Sequence, residues 1–243
     1  MDPLTAIAAS GLRARMESLD LMANNAANSS TNGYKADREF YSLYVAPEAQ
    51  EAGSSSTMPL IESPWTDLTQ GTLRTTGNPL DVALSGKGFF SVDGPAGTLY
   101  TRNGNFRLDS AGKLVTADGY PVRGASGAMT LKASLPIDIA SDGSIQQGGQ
   151  TVGQLSVADF PGAVGLLKQG SNYFRAVDPD LTPAAATGAS VEQGKLEDSN
   201  AGSAQAAISV VGIMRQFEML QKAAQIGNDM GKQAIEQVAR VGS

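Results

Sequence analysis

The fold of this chain is decided at residues 210–241, which read VVGIMRQFEMLQKAAQIGNDMGKQAIEQVARV. A heptad frame on this stretch places an apolar or small residue at every position of two columns. The first column contains Val210, Phe217, Ala224, Gly231 and Val238, and the second contains Ile213, Leu220, Gly227, Ala234 and Val241. The pattern predicts a long C-terminal helix of the coiled-coil type that begins near Gly202, and its small residues indicate close packing against other helices.

A second, shorter helix is predicted at the N-terminus. Asp2 is a candidate N-cap, and Pro3 stands at the favoured first helical position. Apolar residues then recur at three- and four-residue steps and form one stripe, which contains Leu4, Ala8, Leu12, Met16, Leu19, Met22 and Ala26. The run of turn-forming residues 28–33 should end this helix.

The apolar stripes of the two helices are predicted to form an assembly interface. The N-terminal helix is too short to cover the whole C-terminal stripe, and Val211, Met214 and Ile235 add a second apolar row. We therefore expect packing between molecules, with an ordinary helical hairpin inside one chain as the alternative. The expected interface residues are Leu4, Ala8, Leu12, Met16, Leu19, Met22, Ala26, Val210, Ile213, Phe217, Leu220, Ala224, Gly227, Gly231, Ala234 and Val238.

The middle of the chain has the composition of a β domain. No proline occurs between Pro3 and Pro47 or after Pro183, and 21 of the 28 glycines lie in residues 46–194. Short apolar or alternating segments predict strands at 79–84, 88–93, 99–102, 105–108 and 113–116, with more near 135–140, 144–146, 151–160 and 171–177. Asn103-Gly104 is predicted to be a hairpin turn, and Asp109–Gly112 a second turn.

These segments together predict an α+β fold, in which long terminal helices pair as a coiled-coil layer around a central all-β domain. The predicted boundaries are residues 1–35 for the N-terminal helix, 36–70 for an extended connector, 71–200 for the β domain and 201–243 for the C-terminal helix.

Composition excludes several classes of function. The chain has no His and no Cys, which removes the commonest general base, the usual zinc ligands and disulfides. Its net charge is −6, whereas a nucleic-acid-binding protein needs a basic surface. No apolar run reaches the roughly 18 residues of a membrane span, and no cleavable secretory signal is recognisable. We predict no nucleic-acid partner, no membrane insertion and no cofactor.

Three short motifs resemble catalytic or ligand-binding signatures but lack the required context. Residues 110–113 have S-x-x-K spacing without its partner motifs, and residues 85–88 lack the spaced glycine and the hydroxyl residue of a phosphate loop. Asp178-Pro179-Asp180 begins like a calcium loop, but Pro183 stands where that loop needs glycine. All three are interpreted as turns, and the sequence predicts no catalytic, metal-binding or cofactor-binding residue.

Five stretches closely resemble bacterial flagellar rod and hook proteins, in the order found in that family. They are residues 23–35 (ANNAANSSTNGYK), residues 78–90 with NPLDVAL and GFF, residues 100–106 (YTRNGNF), residues 114–122 (LVTADGYPV), and residues 194–200 (GKLEDSN) before the long helix. The motif residues are Asn24, Asn25, Asn28, Thr31, Gly33, Tyr34, Asn78, Pro79, Leu80, Asp81, Gly88, Phe89, Phe90, Leu196, Glu197, Ser199 and Asn200.

The resemblance implies an inner layer of terminal helices, an outer hook-type β domain and a structural role in the basal-body rod. It also implies export through the flagellar type III apparatus into the periplasm, with neighbouring rod subunits of the proximal and distal rod as partners. Residues 215–219 and the short connector resemble the proximal-rod branch of the family more than the distal-rod branch.

Two hypotheses from other classes remain at this point. A secreted β-domain enzyme or effector with helical export segments would bring acidic side chains together in a pocket within residues 75–190. A monomeric binding module would keep its helices paired within one chain.

Overall fold

The computed structural model describes residues 3–39, 41–45, 57–61, 64–160, 165–170, 172–178 and 183–241. The chain forms two compact units. The first, the helical unit, contains residues 1–27, 37–67 and 202–243, and the second, the β unit, contains residues 28–36 and 68–201.

Two helices dominate the helical unit: α1 (Pro3–Ala27) and α2 (Ser203–Val241). Helix α1 ends directly before the turn-forming run 28–33, and α2 continues for 39 residues because no proline interrupts it. At 1.5 Å per residue, α2 is about 58 Å long. The two helices pack against each other. Neither described helix is both long enough and apolar enough to cross a membrane.

Four short strands complete the helical unit: β1 (Asp37–Arg38), β2 (Tyr41–Val45), β3 (Thr57–Ile61) and β4 (Trp65–Thr66). Strand β1 pairs with β4 and β2 with β3, both antiparallel. These strands lie in residues 36–70, for which the sequence predicted an extended connector.

The β unit contains seventeen strands among its described residues. They are β5 (Leu73–Thr75), β6 (Val82–Ser85), β7 (Phe89–Gly94), β8 (Gly97–Thr101), β9 (Phe106–Leu108), β10 (Leu114–Thr116), β11 (Arg123–Gly124), β12 (Gly127–Ala128), β13 (Asp138–Ile139), β14 (Ser144–Gln147), β15 (Gln150–Gln154), β16 (Val157–Asp159), β17 (Leu166–Gln169), β18 (Tyr173–Ala176), β19 (Ala184–Ala185), β20 (Ser190–Gln193) and β21 (Lys195–Glu197).

A six-stranded antiparallel sheet forms the centre of this unit, in the order β17-β18-β8-β7-β16-β19. A three-stranded sheet β13-β14-β15 and the ladders β5–β21, β6–β20, β9–β10 and β11–β12 surround it. The ladders β5–β21 and β6–β20 join the beginning of the β unit to its end. Most of the described chain outside the two helices is therefore β structure or turn, as the sequence predicted.

Both faces of the central sheet are covered by apolar side chains. On β7, Phe90 packs edge-to-face on Phe106 in one hydrophobic cluster, whereas Phe89 packs on Phe160 and Phe174 in another. Successive residues of a strand point to opposite faces, so the Phe-Phe pair supplies one ring to each cluster.

The predicted hairpin at Asn103-Gly104 is wrong. Strand β8 pairs with β7 and β18, and β9 pairs with β10, so the two strands that flank Asn103-Gly104 do not pair with each other. Gly104 serves a close backbone approach instead, because a Cβ at this residue would lie 1.6 Å from the carbonyl oxygen of Val82. The N–H of Val82 donates to the Gly104 carbonyl at 3.0 Å.

The second predicted turn, Asp109–Gly112, is confirmed as the β9–β10 hairpin. The Asp109 carboxylate accepts the backbone N–H groups of Ala111 and Lys113, and Gly112 has φ of +77°. The aspartate and the glycine thus fix this turn, each by its usual mechanism.

Candidate assembly site

The two heptad columns of α2 lie on the more buried side of the helix. The described column residues Val210, Ile213, Phe217, Leu220, Ala224 and Gly231 are partly buried, and Gly227 is buried. The side chains of Ala234, Val238 and Val241 lie outside the described residues. One contact shows how α1 reaches this surface: a Cβ at Gly11 would lie 3.3 Å from Cδ1 of Leu220.

The stripe predicted on α1 is offset from the face that this helix buries. Leu12, Leu19, Met22 and Ala26 are only partly buried, and Met16 is 56% exposed. The side chains of Leu4 and Ala8 lie outside the described residues. The buried positions of α1 are Gly11, Ala14, Ser18 and Asn25.

This buried face of α1 was missed because three of its four residues are not apolar enough to mark a stripe. Its signal is spacing, since steps of three, four and seven residues return to one side of a helix. Small residues at such steps let a neighbouring helix approach closely, and the apolar stripe beside them is left partly uncovered.

Helix α2 carries a second apolar face, which we call the outer α2 face: Ile208, Met219, Ile226 and Met230. These residues follow one another at steps of 11, 7 and 4, so they project from one side of the helix. Their exposed fractions lie between 57% and 67%. Val211 and Met214, which the sequence placed in a second apolar row, are also more than half exposed.

One motif residue of the β unit, Glu197, lies in a buried ionic group that we call the Glu197 cluster: Glu197, Lys35, Arg102 and the backbone N–H of Gly71. Lys35 Nζ lies 2.5 Å from one carboxylate oxygen of Glu197, and Arg102 Nη1 lies 3.3 Å from the other. Gly71 N–H donates to the first oxygen at 2.9 Å. The side chains of Lys35 and Glu197 are fully buried, and that of Arg102 is nearly so.

Arg102 has further partners beyond Glu197. Its Nη2 donates to the carbonyl of Gly86 at 2.7 Å, and its guanidinium carbon lies 5.3 Å from the centre of the Phe89 ring. Burial lowers the pKa of the Arg102 guanidinium, and the Glu197 carboxylate acts in the opposite direction. The resemblance had marked Glu197 but not Lys35 or Arg102 among the motif residues, although both stand inside the quoted stretches.

The end motifs are residues 23–35 and 194–200, and their glycine and asparagines also fix the course of the backbone through hydrogen bonds. Gly33 has φ of +69°, and its N–H donates to the carbonyl of Glu197 at 2.7 Å. The Asn200 side chain accepts the N–H of Ala36 at 2.7 Å. In the helical unit, the Asn25 side chain accepts from Asp37 N–H at 3.0 Å and donates to Asp37 C=O at 2.7 Å.

The remaining end-motif residues make local contacts. Tyr34 is fully buried in a small cluster with Ala36 and Ala201, and the Lys168 ammonium lies 3.9 Å from the centre of its ring. The Thr31 hydroxyl donates to the Asn28 side chain at 3.2 Å. Asn24 is exposed, Leu196 is buried, and the Ser199 hydroxyl accepts the N–H of Ala201 at 3.1 Å.

The NPLD motif is centred on Asp81. This buried carboxylate accepts hydrogen bonds from the side-chain amides of Asn78, at 3.1 Å, and Asn105, at 2.7 Å. Leu80 is partly buried and Pro79 is exposed. Gly88 precedes β7 with φ of +134° and packs against Val157. These motif residues shape the chain around β6 and β7.

Two other carboxylates of the β unit, those of Asp118 and Asp142, also accept hydrogen bonds from neighbouring residues. The Tyr173 hydroxyl donates to Asp118 at 2.6 Å, and burial raises the pKa of Tyr173 above its ordinary value. A cleft of about 230 Å³ is lined mainly by small apolar residues, and its acid, Asp142, accepts the N–H of Ser144. A hydrogen bond from the Ser144 side chain is the main cause that lowers the pKa of Asp142, and the bond from the Ser144 N–H acts in the same direction. Among the described residues, no group of acids is placed to hold a metal ion.

These features are those of a structural protein: the motif residues of the β unit fasten its own backbone, and the terminal helices expose apolar side chains. The model of the flagellar hook protein FlgE/F/G D1 domain matches residues 83–151. The flagellar basal-body rod protein FlgF of Caulobacter vibrioides is 30% identical over 227 residues, which cover 92% of both chains.

Other relatives extend the match over nearly the whole length. FlgG of Buchnera aphidicola from Acyrthosiphon pisum is 32% identical over 255 residues, covering 95% of this chain and 97% of the relative. FlgF of Mesorhizobium japonicum is 30% identical and covers 87% of this chain and 88% of the relative. The chain belongs to the flagellar basal-body rod protein family. It is a structural subunit of the rod and not an enzyme.

Proposed function

We propose that this chain is a proximal-rod subunit of the FlgF type, whose terminal helices pack with those of neighbouring rod subunits as a coiled-coil layer. The assembled rod would act as a helical drive shaft that transmits torque through its packed helices. The residues predicted for the interface, on α1 and on the α2 columns, together with the outer α2 face, would contact these neighbours.

The observation that carries this proposal is the outer α2 face. Four large apolar side chains stand more than half exposed along about 33 Å of one helix. Burying each exposed portion would contribute roughly 1–2 kcal/mol. A face of this length fits another helix, and α1 of the same chain already contacts the Leu220 side of α2.

Contacts of this type would be heterologous, since α1 and the outer α2 face are different surfaces. Heterologous contacts that do not close into a ring propagate as a helical array, which is the geometry that a shaft requires. The partners would be other proximal-rod subunits and the distal-rod protein. Isolated helices with narrow apolar stripes are only marginally stable in water. Packing against neighbouring subunits would therefore stabilise both terminal helices.

The route to the rod is also part of the proposal. The likeness to flagellar rod proteins supports export through the flagellar type III apparatus to a rod position within the periplasm.

The distal-rod role of FlgG is the alternative within the family. FlgF and FlgG relatives match the chain at 30% and 32% identity over more than nine tenths of its length, so overall similarity does not separate the two roles. Residues 215–219, Arg-Gln-Phe-Glu-Met, and the short connector support the proximal role.

A double substitution on the outer α2 face, Met219→Glu with Ile226→Glu, tests the assembly proposal. Both side chains are mostly exposed in the single chain, so thermal unfolding of the purified variant should stay within about 2 °C of the wild type. Buried carboxylates without partners should block packing, so rod incorporation and swimming should be lost.

Gln225→Glu is the control for added charge, because it places one new carboxylate at an exposed position of α2 outside the heptad columns and the outer α2 face. This variant should join rods and swim normally. A Met219→Glu/Ile226→Glu chain that assembles and swims like the wild type would show that the outer α2 face is not an interface.

A further inference from the structure

Glu197 connects four separate segments of the β unit. Lys35 comes from residues 28–36, which directly follow α1 in sequence. Gly71 precedes β5, and Arg102 follows β8. Glu197 itself ends β21, close to the start of α2. The two segments that lead to the helices are 162 positions apart in sequence, yet they share one fully buried ion pair.

Backbone hydrogen bonds join the same two end segments to each other. Gly33 N–H donates to the Glu197 carbonyl at 2.7 Å, and Asn200 N–H donates to the Tyr34 carbonyl at 3.3 Å. Both segments also bind the chain before β5: Lys35 Nζ donates to the carbonyl of Thr69 at 2.6 Å, and Asp198 N–H donates to that of Thr72 at 2.9 Å. Neither end segment can leave without breaking bonds to the other.

The Glu197 cluster makes this mutual dependence strong. Removing the carboxylate would leave two buried cations, Lys35 and Arg102, without their anion, which is among the most destabilising changes a protein interior can suffer. Arg102 Nε already has no hydrogen-bond partner within the described part of the chain. The cations are rehydrated only when the end segments detach.

The main hydrophobic core does not depend on these end segments. Its buried residues run from Val82 to Val191, whereas Tyr34, Ala36 and Ala201 form a separate small cluster. The end segments are therefore attached to the β unit by polar contacts and a small apolar group, while the central sheet retains its own core. Such an arrangement favours local opening below the free energy of global unfolding.

We propose that residues 28–36 and 195–201 form one cooperative latch, closed by Glu197, which opens and closes as a unit while the central sheet stays folded. The chain enters the latch from α1 at Ala27 and leaves it for α2 at Ser203. One latch would thus hold the two segments of the β unit from which the chain passes to α1 and to α2. This inference does not depend on the proposed rod position.

Native-state hydrogen exchange on the full-length chain, followed by mass spectrometry of peptides, tests the latch with Glu197→Gln. The substitution keeps the size of the side chain but removes the charge that Lys35 and Arg102 share. Exchange should accelerate by about 100-fold or more in peptides covering 28–36 and 195–201, and by the same factor in both. Peptides covering β7 and β8 should keep wild-type protection.

Asp198→Asn is the matched control, because Asp198 pairs with Arg74 at 3.1 Å next to Glu197 but at the surface. It should change exchange in either end segment by less than about threefold. Acceleration confined to 195–201 in Glu197→Gln, or an equal response of β7, would overturn the proposal.

The wild-type chain decides the question if Glu197→Gln fails to fold. At low urea concentrations, the amides of the two end segments should follow one exchange isotherm, with an opening free energy below that of β7. Two separate isotherms, or a single one shared with β7, would mean that no independent latch exists.

Discussion

The Asn25 side chain forms hydrogen bonds with both the N–H and the C=O of Asp37. In the same manner, the Asn200 side chain accepts a backbone N–H, and the Asp81 carboxylate accepts a neighbouring side-chain amide. A side chain with an amide or carboxylate can satisfy backbone groups that no strand or helix pairs. The polar motif residues of this chain therefore have a physical reason to occupy fixed positions without binding any ligand.

Gly33 offers a test at the scale of one residue. Its φ of +69° is strained for any residue with a Cβ, and that Cβ would lie 2.4 Å from the backbone nitrogen of Asn103. We expect Gly33→Ala to lower the free energy of unfolding, measured by urea denaturation, by about 3 kcal/mol or more, because strain and a backbone clash add.

Gly119→Ala separates the two contributions. Gly119 has φ of +87°, but no atom lies within 4 Å of the position of its Cβ. It should cost only the conformational strain, about 1–2 kcal/mol. If the two alanine variants lose the same free energy of unfolding, the close approach of Gly33 to the Asn103 backbone does not contribute to the loss.

The sequence could not identify Lys35 and Arg102 as buried. Charged side chains are mostly exposed, and burial here depends on a carboxylate that the fold brings from a distant segment. Neither helical periodicity nor strand alternation carries this information. The family resemblance marked Glu197 because it stands in the GKLEDSN stretch, but spacing alone gave it no role.

At the scale of elements, prediction succeeded where one periodicity ran over many residues. The α2 columns repeat over more than four heptads, and α2 extends from Ser203 to Val241 as one helix. The Asn103-Gly104 prediction failed because a two-residue signal cannot tell which strands will pair. The bridge between Asp81 and Asn105 and the Val82–Gly104 bond recruit this segment to β6 instead.

Gly11 tests the packing of α1 on α2. A larger side chain at this position would meet Leu220, so Gly11→Leu should lower the melting temperature of the helices, followed by circular dichroism at 222 nm, by several degrees. Shortening the partner with Leu220→Ala should recover part of that loss in the double variant.

Gly212→Leu is the control for helix propensity, since no atom lies within 4 Å of its Cβ position. Leucine forms helix better than glycine, so this variant should be as stable as the wild type or slightly more stable. If Gly11→Leu behaves like Gly212→Leu, and Leu220→Ala fails to compensate, the two helices do not pack through this contact.

At the scale of the whole molecule, the charges are distributed in a way that suits assembly. Residues 1–45 carry four basic and five acidic side chains, and residues 195–243 carry five of each. The middle of the chain accounts for −5 of the net charge of −6. Nearly neutral ends can approach one another without strong repulsion, while the acidic middle of the chain keeps the protein soluble.

The proposed rod position can be tested by exchanging whole subunits. In a host lacking its FlgF, expression of this chain should restore swimming in soft agar, and in the same host lacking FlgG it should not. The reason is that a shaft subunit must match two different neighbours along the rod, so contacts suited to one position exclude the other. Because relatives of both types match this chain about equally, only such a position-dependent readout separates them.

Phe217→Pro supplies the control for this exchange, since proline inside α2 breaks the helix and should abolish rescue in the FlgF-deficient host. Rescue only in the host lacking FlgG would assign the chain to the distal rod and leave the assembly proposal intact. Rescue by the Phe217→Pro variant would contradict assembly through α2 itself, because a shaft built on that helix cannot tolerate a break at its most bulky column residue.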